Sequence, residues 1–241
     1  TIILEMSGKN QAVVSRNTDV ERAAVGIVRS AFGLQGQKCS ACSRIYIEEP
    51  LYDQVVGRIV ELTEKLTLGD PTDRSVYLGP VINQSAYQEY QEFTAELAQA
   101  GTILTGGKVL TDGAYSKGYF CTPTIAAGVP LNHRLWKQEM FLPISTVTRV
   151  KDLDEALRLA NDTEYGLTAG FYGSESEAQV FFDQIQAGVT YVNRPQGATT
   201  GAWPGFQPFG GWKGSGSSGK NAGGHYYLPL YMREQIRTVI K

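Results

Sequence analysis

Hydrophobic positions change period repeatedly along this chain. From Thr18 onward, Val20, Ala23, Ala24, Ile27, Val28 and Ala31 recur at three- and four-residue spacing, which predicts a helix capped by Thr18 or Asp19 and stopped by Gly33. Arg44-Ile45-Tyr46-Ile47 is a short β-branched and aromatic run. Pro50 then opens a second amphipathic helix through Val55, Val56, Ile59, Val60 and Leu66. A third helix fits Asn83 to Ala100, followed by strands at Thr102 to Leu104 and Tyr119 to Ile125. The pattern continues as a strand from Ile144 to Val150, a helix from Asp152 to Asn161 and a strand from Thr168 to Tyr172. A helix from Ser174 to Ile185 and a strand from Val189 to Val192 complete it. Strands separated by helices of this length need crossover connections, so the expected fold is α/β: three-layer, with a largely parallel sheet and flanking helices.

The two ends and one internal stretch depart from that rhythm. Thr1 to Glu5 reads as a strand entered midway, and Glu234 to Ile240 alternates like a strand able to complete a sheet of another subunit. Asn193 to Gly224 is rich in Gly, Pro and Ser and too irregular for core elements, which favours a functional segment.

Composition narrows the classes. The 241 residues are 42% hydrophobic and 19% charged with a net charge of −2, which describes a globular chain with a substantial core rather than a disordered tail or coiled coil. Both signs of charge are interspersed, so no nucleic-acid partner or acidic lipid surface is expected. No apolar run approaches the roughly 18 to 20 residues that span a bilayer, so no membrane association is expected, and the first residues lack the pattern of a secretory signal. Three cysteines, Cys39, Cys42 and Cys121, are too few and too odd for a disulfide framework. They point to a reducing compartment, with the cytoplasm as the default.

Several local patterns carry chemistry. Gly214-Ser215-Gly216-Ser217-Ser218-Gly219 satisfies G-x-G-x-x-G, but Asn221 stands where a phosphate loop needs Ser or Thr, and neither a buried strand nor a helix flanks it. Cys39-Ser40-Ala41-Cys42 reads as C-x-x-C, a redox dithiol or half a zinc site. No second pair follows, and His133 and His225 are isolated, so no metal is expected. Cys42 and Cys121 read as buried core thiols. Cys39 follows a Gly-containing turn and Lys38, which together offer the amide donors and the cation that activate a nucleophilic thiol.

Three ordered segments then acquire a common meaning. Glu5-Met6-Ser7-Gly8-Lys9-Asn10 resembles the E-L-G-G-K signature of the aldehyde dehydrogenase superfamily. Gly36-Gln37-Lys38-Cys39-Ser40 resembles its G-Q-x-C signature, and Lys137-Gln138-Glu139-Met140-Phe141-Leu142-Pro143 its E-E-x-F-G-P signature. Their separations match the superfamily's, with Ser7 and Leu142 standing where it carries glycine. Within the superfamily, Lys38 to Arg44, Asn193-Arg194, Thr200-Gly201-Ala202, Gln207 to Gly211 and Lys220 to Gly224 are similar to the 1-pyrroline-5-carboxylate dehydrogenase group.

The resemblance implies Cys39 as nucleophile, Glu5 as the general base for hydrolysis, and Glu139 and Phe141 as contacts of the NAD ribose and nicotinamide. It implies Ser40, Gly201, Ala202 and Phe209 around an aldehyde substrate bearing a carboxylate, which is glutamate γ-semialdehyde, oxidised to glutamate in proline breakdown. It further implies that residues 1–230 form the catalytic domain and 231–241 the strand of a homo-oligomer's sheet. The dinucleotide-binding half would be absent and the isolated chain nearly inactive. Another acid-bearing aldehyde as substrate, or a Cys39/Cys42 redox module, are the alternatives.

Overall fold

The computed structural model describes residues 4–195, 207–217 and 221–241. In chain order the described strands are β1 (Asn10–Val14), β2 (Cys42–Glu48), β3 (Thr102–Thr105), β4 (Val109–Leu110), β5 (Phe120–Cys121), β6 (Thr124–Ala127), β7 (Ile144–Val150), β8 (Tyr165–Gly166), β9 (Thr168–Tyr172), β10 (Val189–Val192) and β11 (Trp212–Lys213). The helices are α1 (Val20–Phe32), α2 (Tyr52–Glu64), α3 (Gln84–Ala100), α4 (Leu153–Asn161) and α5 (Glu175–Gln184).

Local chemistry sets the helix boundaries. Asp19, Asn83, Asp152 and Ser174 each accept a hydrogen bond from an amide of the first turn, and Ser174 with Glu177 forms a reciprocal capping box. The strands assemble in the order β10-β9-β1-β2-β7-β6-β3, all parallel except the β3 edge. Side chains alternate between two cores. Ala12, Val14, Ile45 and Ile47 pack with α1 and α2 through Ile27, Phe32, Val55 and Ile59. On the other face Val13 and Tyr46 join Phe93, Leu97, Leu157 and Phe181 from α3, α4 and α5. This is the expected three-layer α/β arrangement.

Four details differ from the sequence pattern. The central strand β1 carries Asn-Gln-Ala-Val-Val, which shows no alternation because a central parallel strand is buried on both faces. Of Thr1 to Glu5, the described part contributes no strand, only one bridge between Glu5 and Gly216. Pro123 splits the expected strand at Tyr119 to Ile125 into β5 and β6, since proline donates no ladder bond. The C-terminal tail pairs with no described strand, and its Ile236 is 94% exposed, with Val239 and Ile240 similarly bare.

Candidate active site

The chemistry-bearing segments meet where the chain enters the sheet. Glu5 to Gly8 leads into β1, Lys38 to Ala41 into β2, Glu139 to Pro143 into β7, Leu167 into β9 and Gly188 into β10. Ligands of open parallel sheets ordinarily sit beyond the opposite, carboxyl ends of the strands.

Asn10, buried at the start of β1, ties these entries together. Its Nδ2 donates to the Cys39 carbonyl at 2.7 Å and to the Ala41 carbonyl at 3.0 Å, while its Oδ1 accepts from the Thr168 amide at 2.9 Å. The first signature can approach the second only through glycine, because a Cβ on Gly8 would stand 2.6 Å from the Cys39 carbonyl oxygen. The Gly8 amide donates to Glu139 Oε1 at 2.9 Å, which joins the third signature to the first. Gly36 closes the triangle. Its φ is +67°, and a Cβ there would lie 2.3 Å from the Leu142 carbonyl oxygen.

Backbone strain gathers at the same place. Leu34, Gln35 and Phe141 hold φ values of 55°, 58° and 54°, conformations costing roughly 1 kcal/mol or more each and sustained only by surrounding structure. Phe141 keeps its ring 47% exposed beside Glu139.

The loop that mimics a nucleotide-binding motif has a different task. The Ser215 hydroxyl donates to the Ser7 carbonyl at 2.6 Å and accepts from the Gly166 amide at 3.0 Å. The Met6 amide donates to the Ser215 carbonyl and the Leu4 amide to the Ser217 hydroxyl. Gly214 to Ser217 is therefore a strap that backs the Glu5 segment.

Cys39 packs against Leu167, Val189 and Phe209. Burial first, then the negative charges of Glu5 and Glu139, push its thiol above the ordinary value, against the lowering effect of the Cys39 and Ser40 amides. The expectation of a thiol activated by its neighbours is thus corrected: desolvation and two carboxylates outweigh the donors, and Lys38 is itself desolvated with its pKa lowered. Partial burial raises the Glu5 carboxyl, as suits a proton acceptor. Because the Glu5 charge raises the thiol, Glu5→Gln should move the midpoint of Cys39 alkylation by iodoacetamide to lower pH. An unchanged pH-rate profile would place Glu5 too far away to act.

Of the other expected site residues, Phe209 borders Cys39, and its amide and carbonyl pair with Ala222. Ser40 is buried, and its carbonyl accepts from the Thr168 hydroxyl at 3.4 Å. Gly201 and Ala202 lie outside the described residues. Cys42 is buried in the α1/α2 core with its thiol on the Arg44 carbonyl, and its pKa is pushed up to about 12. A thiol held protonated is a poor resolving partner, which weighs against a Cys39/Cys42 redox couple. Cys121 is likewise buried, free and raised to about 12. Sequence reasoning missed Asn10 and Ser215 as organisers. The available signal was a polar residue at the head of an apolar strand and a serine between glycines, both ambiguous without knowledge of their partners.

Comparison with known proteins supplies an independent line. Residues 1–237 match the aldehyde dehydrogenase family. A 1-pyrroline-5-carboxylate dehydrogenase of Geobacillus sp. (strain WCH70) is 46% identical over 99% of this chain, and one of Geobacillus kaustophilus is 44% identical over the same share. The chain spans only 44% of the length of each. Among solved structures, 1-pyrroline-5-carboxylate dehydrogenase from Thermus with bound NAD superposes with a TM-score of 0.84 at 38% identity, covering 91% of this chain and 41% of that one. Betaine aldehyde dehydrogenase from Staphylococcus aureus in complex with NAD+ reaches 0.88 at 28% identity, covering 96% and 45%.

Proposed function

This chain belongs to the aldehyde dehydrogenase family, and from that premise we propose that it forms the catalytic part of an NAD-dependent enzyme oxidising L-glutamate γ-semialdehyde to L-glutamate. The observation that carries the reading is the convergence of three signature segments around one thiol, Cys39, through the Asn10 bonds to the Cys39 and Ala41 carbonyls and the Gly8 amide on Glu139. The substrate follows from the similarity to 1-pyrroline-5-carboxylate dehydrogenases.

In this reading the Cys39 thiol gives its proton to solvent water and adds as thiolate to the aldehyde carbon, and the Cys39 amide donates to the developing oxyanion. Bound NAD would supply a hydride acceptor, and loss of hydride to it would leave the acyl group on Cys39 as a thioester. Glu139 and Phe141 are the residues of this chain that would hold it: a carboxylate suited to ribose hydroxyls, with an exposed ring on the same strained loop. Glu5 takes a proton from water, the resulting hydroxide attacks the thioester carbon, and the C–S bond breaks to release the acid and restore Cys39. Ser40, Gly201 and Ala202 would hold the α-carboxylate, and Phe209 would pack on the aliphatic part of the substrate.

Residues 1–230 would be the catalytic domain and 231–241 a strand donated to a homo-oligomer, a role consistent with the bare Ile236, Val239 and Ile240. No described helix is long and apolar enough to cross a membrane.

Turnover is best measured with the chain joined to the N-terminal portion of the Geobacillus sp. relative. With NAD, glutamate γ-semialdehyde should exceed an uncharged aldehyde of equal length in kcat/KM by at least about tenfold, the value of one charge-assisted contact. Equal rates for the two aldehydes would refute the substrate assignment.

A further inference from the structure

Two cations lie side by side beneath the site, and only one of them is satisfied. Arg44, 1% exposed, donates to the carbonyls of Lys9, Leu159 and Ala160, to Gln11 Oε1 and to the Tyr46 hydroxyl. Lys9 is equally buried at 1%, and its Nζ is the one buried side-chain nitrogen or oxygen among the described residues that lacks a hydrogen-bond partner. A buried amine without a partner costs stability that an apolar side chain of similar volume would not. Its surroundings indicate what that cost supports. Lys9 directly follows Gly8, whose amide holds Glu139 Oε1, and the charges that act on its amine are Arg44 from β2 and Glu139 from the loop before β7.

We propose that Lys9 is a positioning residue for Glu139: its buried ammonium, behind the Gly8 amide, draws the Glu139 carboxylate onto that amide and fixes the direction in which the carboxylate faces a bound dinucleotide. The final clause rests on the function proposed above; the Lys9–Gly8–Glu139 coupling does not.

The arrangement is also sensitive to pH. Burial, reinforced by the Arg44 charge, brings the Lys9 amine down to about 7, opposed by the attraction of Glu139. Below that pH the ammonium is present and Glu139 is held; above it the amine is neutral and the pull is lost.

The amide resonance of Gly8 reads this directly by 15N NMR of the chain, without cofactor. In the wild type it should shift with a midpoint near pH 7. In Lys9→Met that step should vanish, and the Gly8 amide should exchange faster with solvent. In Glu139→Gln the midpoint of Lys9 itself, followed at its labelled Cε, should fall, and this second variant serves if Lys9→Met fails to fold. A Gly8 resonance flat across this range in the wild type, or identical in Lys9→Met, overturns the proposal.

With the chain joined to the relative's N-terminal portion, Lys9→Met should raise KM for NAD by about tenfold with little change in kcat, the size of one lost charged hydrogen-bond partner. A Gly8 step abolished in Lys9→Met alongside an unchanged KM for NAD would uphold the positioning of Glu139 and refute instead its assignment to the dinucleotide.

Discussion

Replacing Cys39 by serine should abolish aldehyde oxidation, lowering kcat by at least about a thousandfold, or roughly 4 kcal/mol of barrier. Serine is nearly isosteric, so the loop held by Asn10 through the Cys39 and Ala41 carbonyls should persist. The deficit is chemical: an alkoxide is far harder to generate than a thiolate beside two carboxylates, and it leaves less readily from the acyl stage. The same variant should lose rapid labelling by iodoacetamide altogether, because Cys42 and Cys121 are buried and held near pKa 12. Mass spectrometry of the labelled chain checks this. Labelling of Cys42 at a comparable rate would reopen the dithiol reading, and residual turnover within tenfold of the wild type would remove Cys39 from the mechanism.

Arg44→Leu should destabilise the fold by about 3–5 kcal/mol, among the largest single-residue losses the described structure can show. The Arg44 guanidinium is buried without a carboxylate among the described ion pairs. Carbonyls balance it instead: Leu159 and Ala160 in the last turn of α4, where the helix dipole is negative, and Lys9 at the entrance to β1. Leucine fills part of the volume but leaves the Ala160 and Lys9 carbonyls and the Gln11 side chain without their donor, each worth about 1–3 kcal/mol when buried. Part of this is returned because a cation no longer has to be desolvated. Urea denaturation of the chain measures the difference, with Arg233→Leu on the exposed tail as a control expected within about 0.5 kcal/mol of wild type. A loss under about 1 kcal/mol would mean that the desolvation of Arg44 cancels its bonds. The variant should also loosen the segment carrying Gly8 and Lys9, so its effect should reach the site as well as the core.

These two expectations differ in where they were legible. Cys39 was visible in the sequence, because nucleophile signatures are local: Gly36, Lys38 and Cys39 sit within four residues, and the separations to Glu5 and Glu139 are fixed by chain length. Arg44 was visible only as part of a strand. Its role depends on α4, more than a hundred residues away, whose buried C-terminal carbonyls no window of sequence displays. The same holds for Ser215, whose loop the sequence excludes as a phosphate cradle without showing that its hydroxyl sits on the Ser7 carbonyl.

By itself the sequence determined the helices and most strands of the main sheet other than β1, because side-chain period and capping residues are properties of neighbouring positions. It also carried the signature segments from which Cys39 and Glu5 are proposed as the reacting groups. Only the tertiary structure decided that Asn10 to Val14 is a central strand and that the site opens where the strands begin. It also left the tail paired with no described strand, buried the Lys9 amine next to the Gly8 amide that holds Glu139, and raised the Cys39 thiol rather than lowering it. The physical reason is common to all of these: a buried polar group takes its energy from partners that chain folding brings in from afar, and alternation disappears when both faces of a strand are covered.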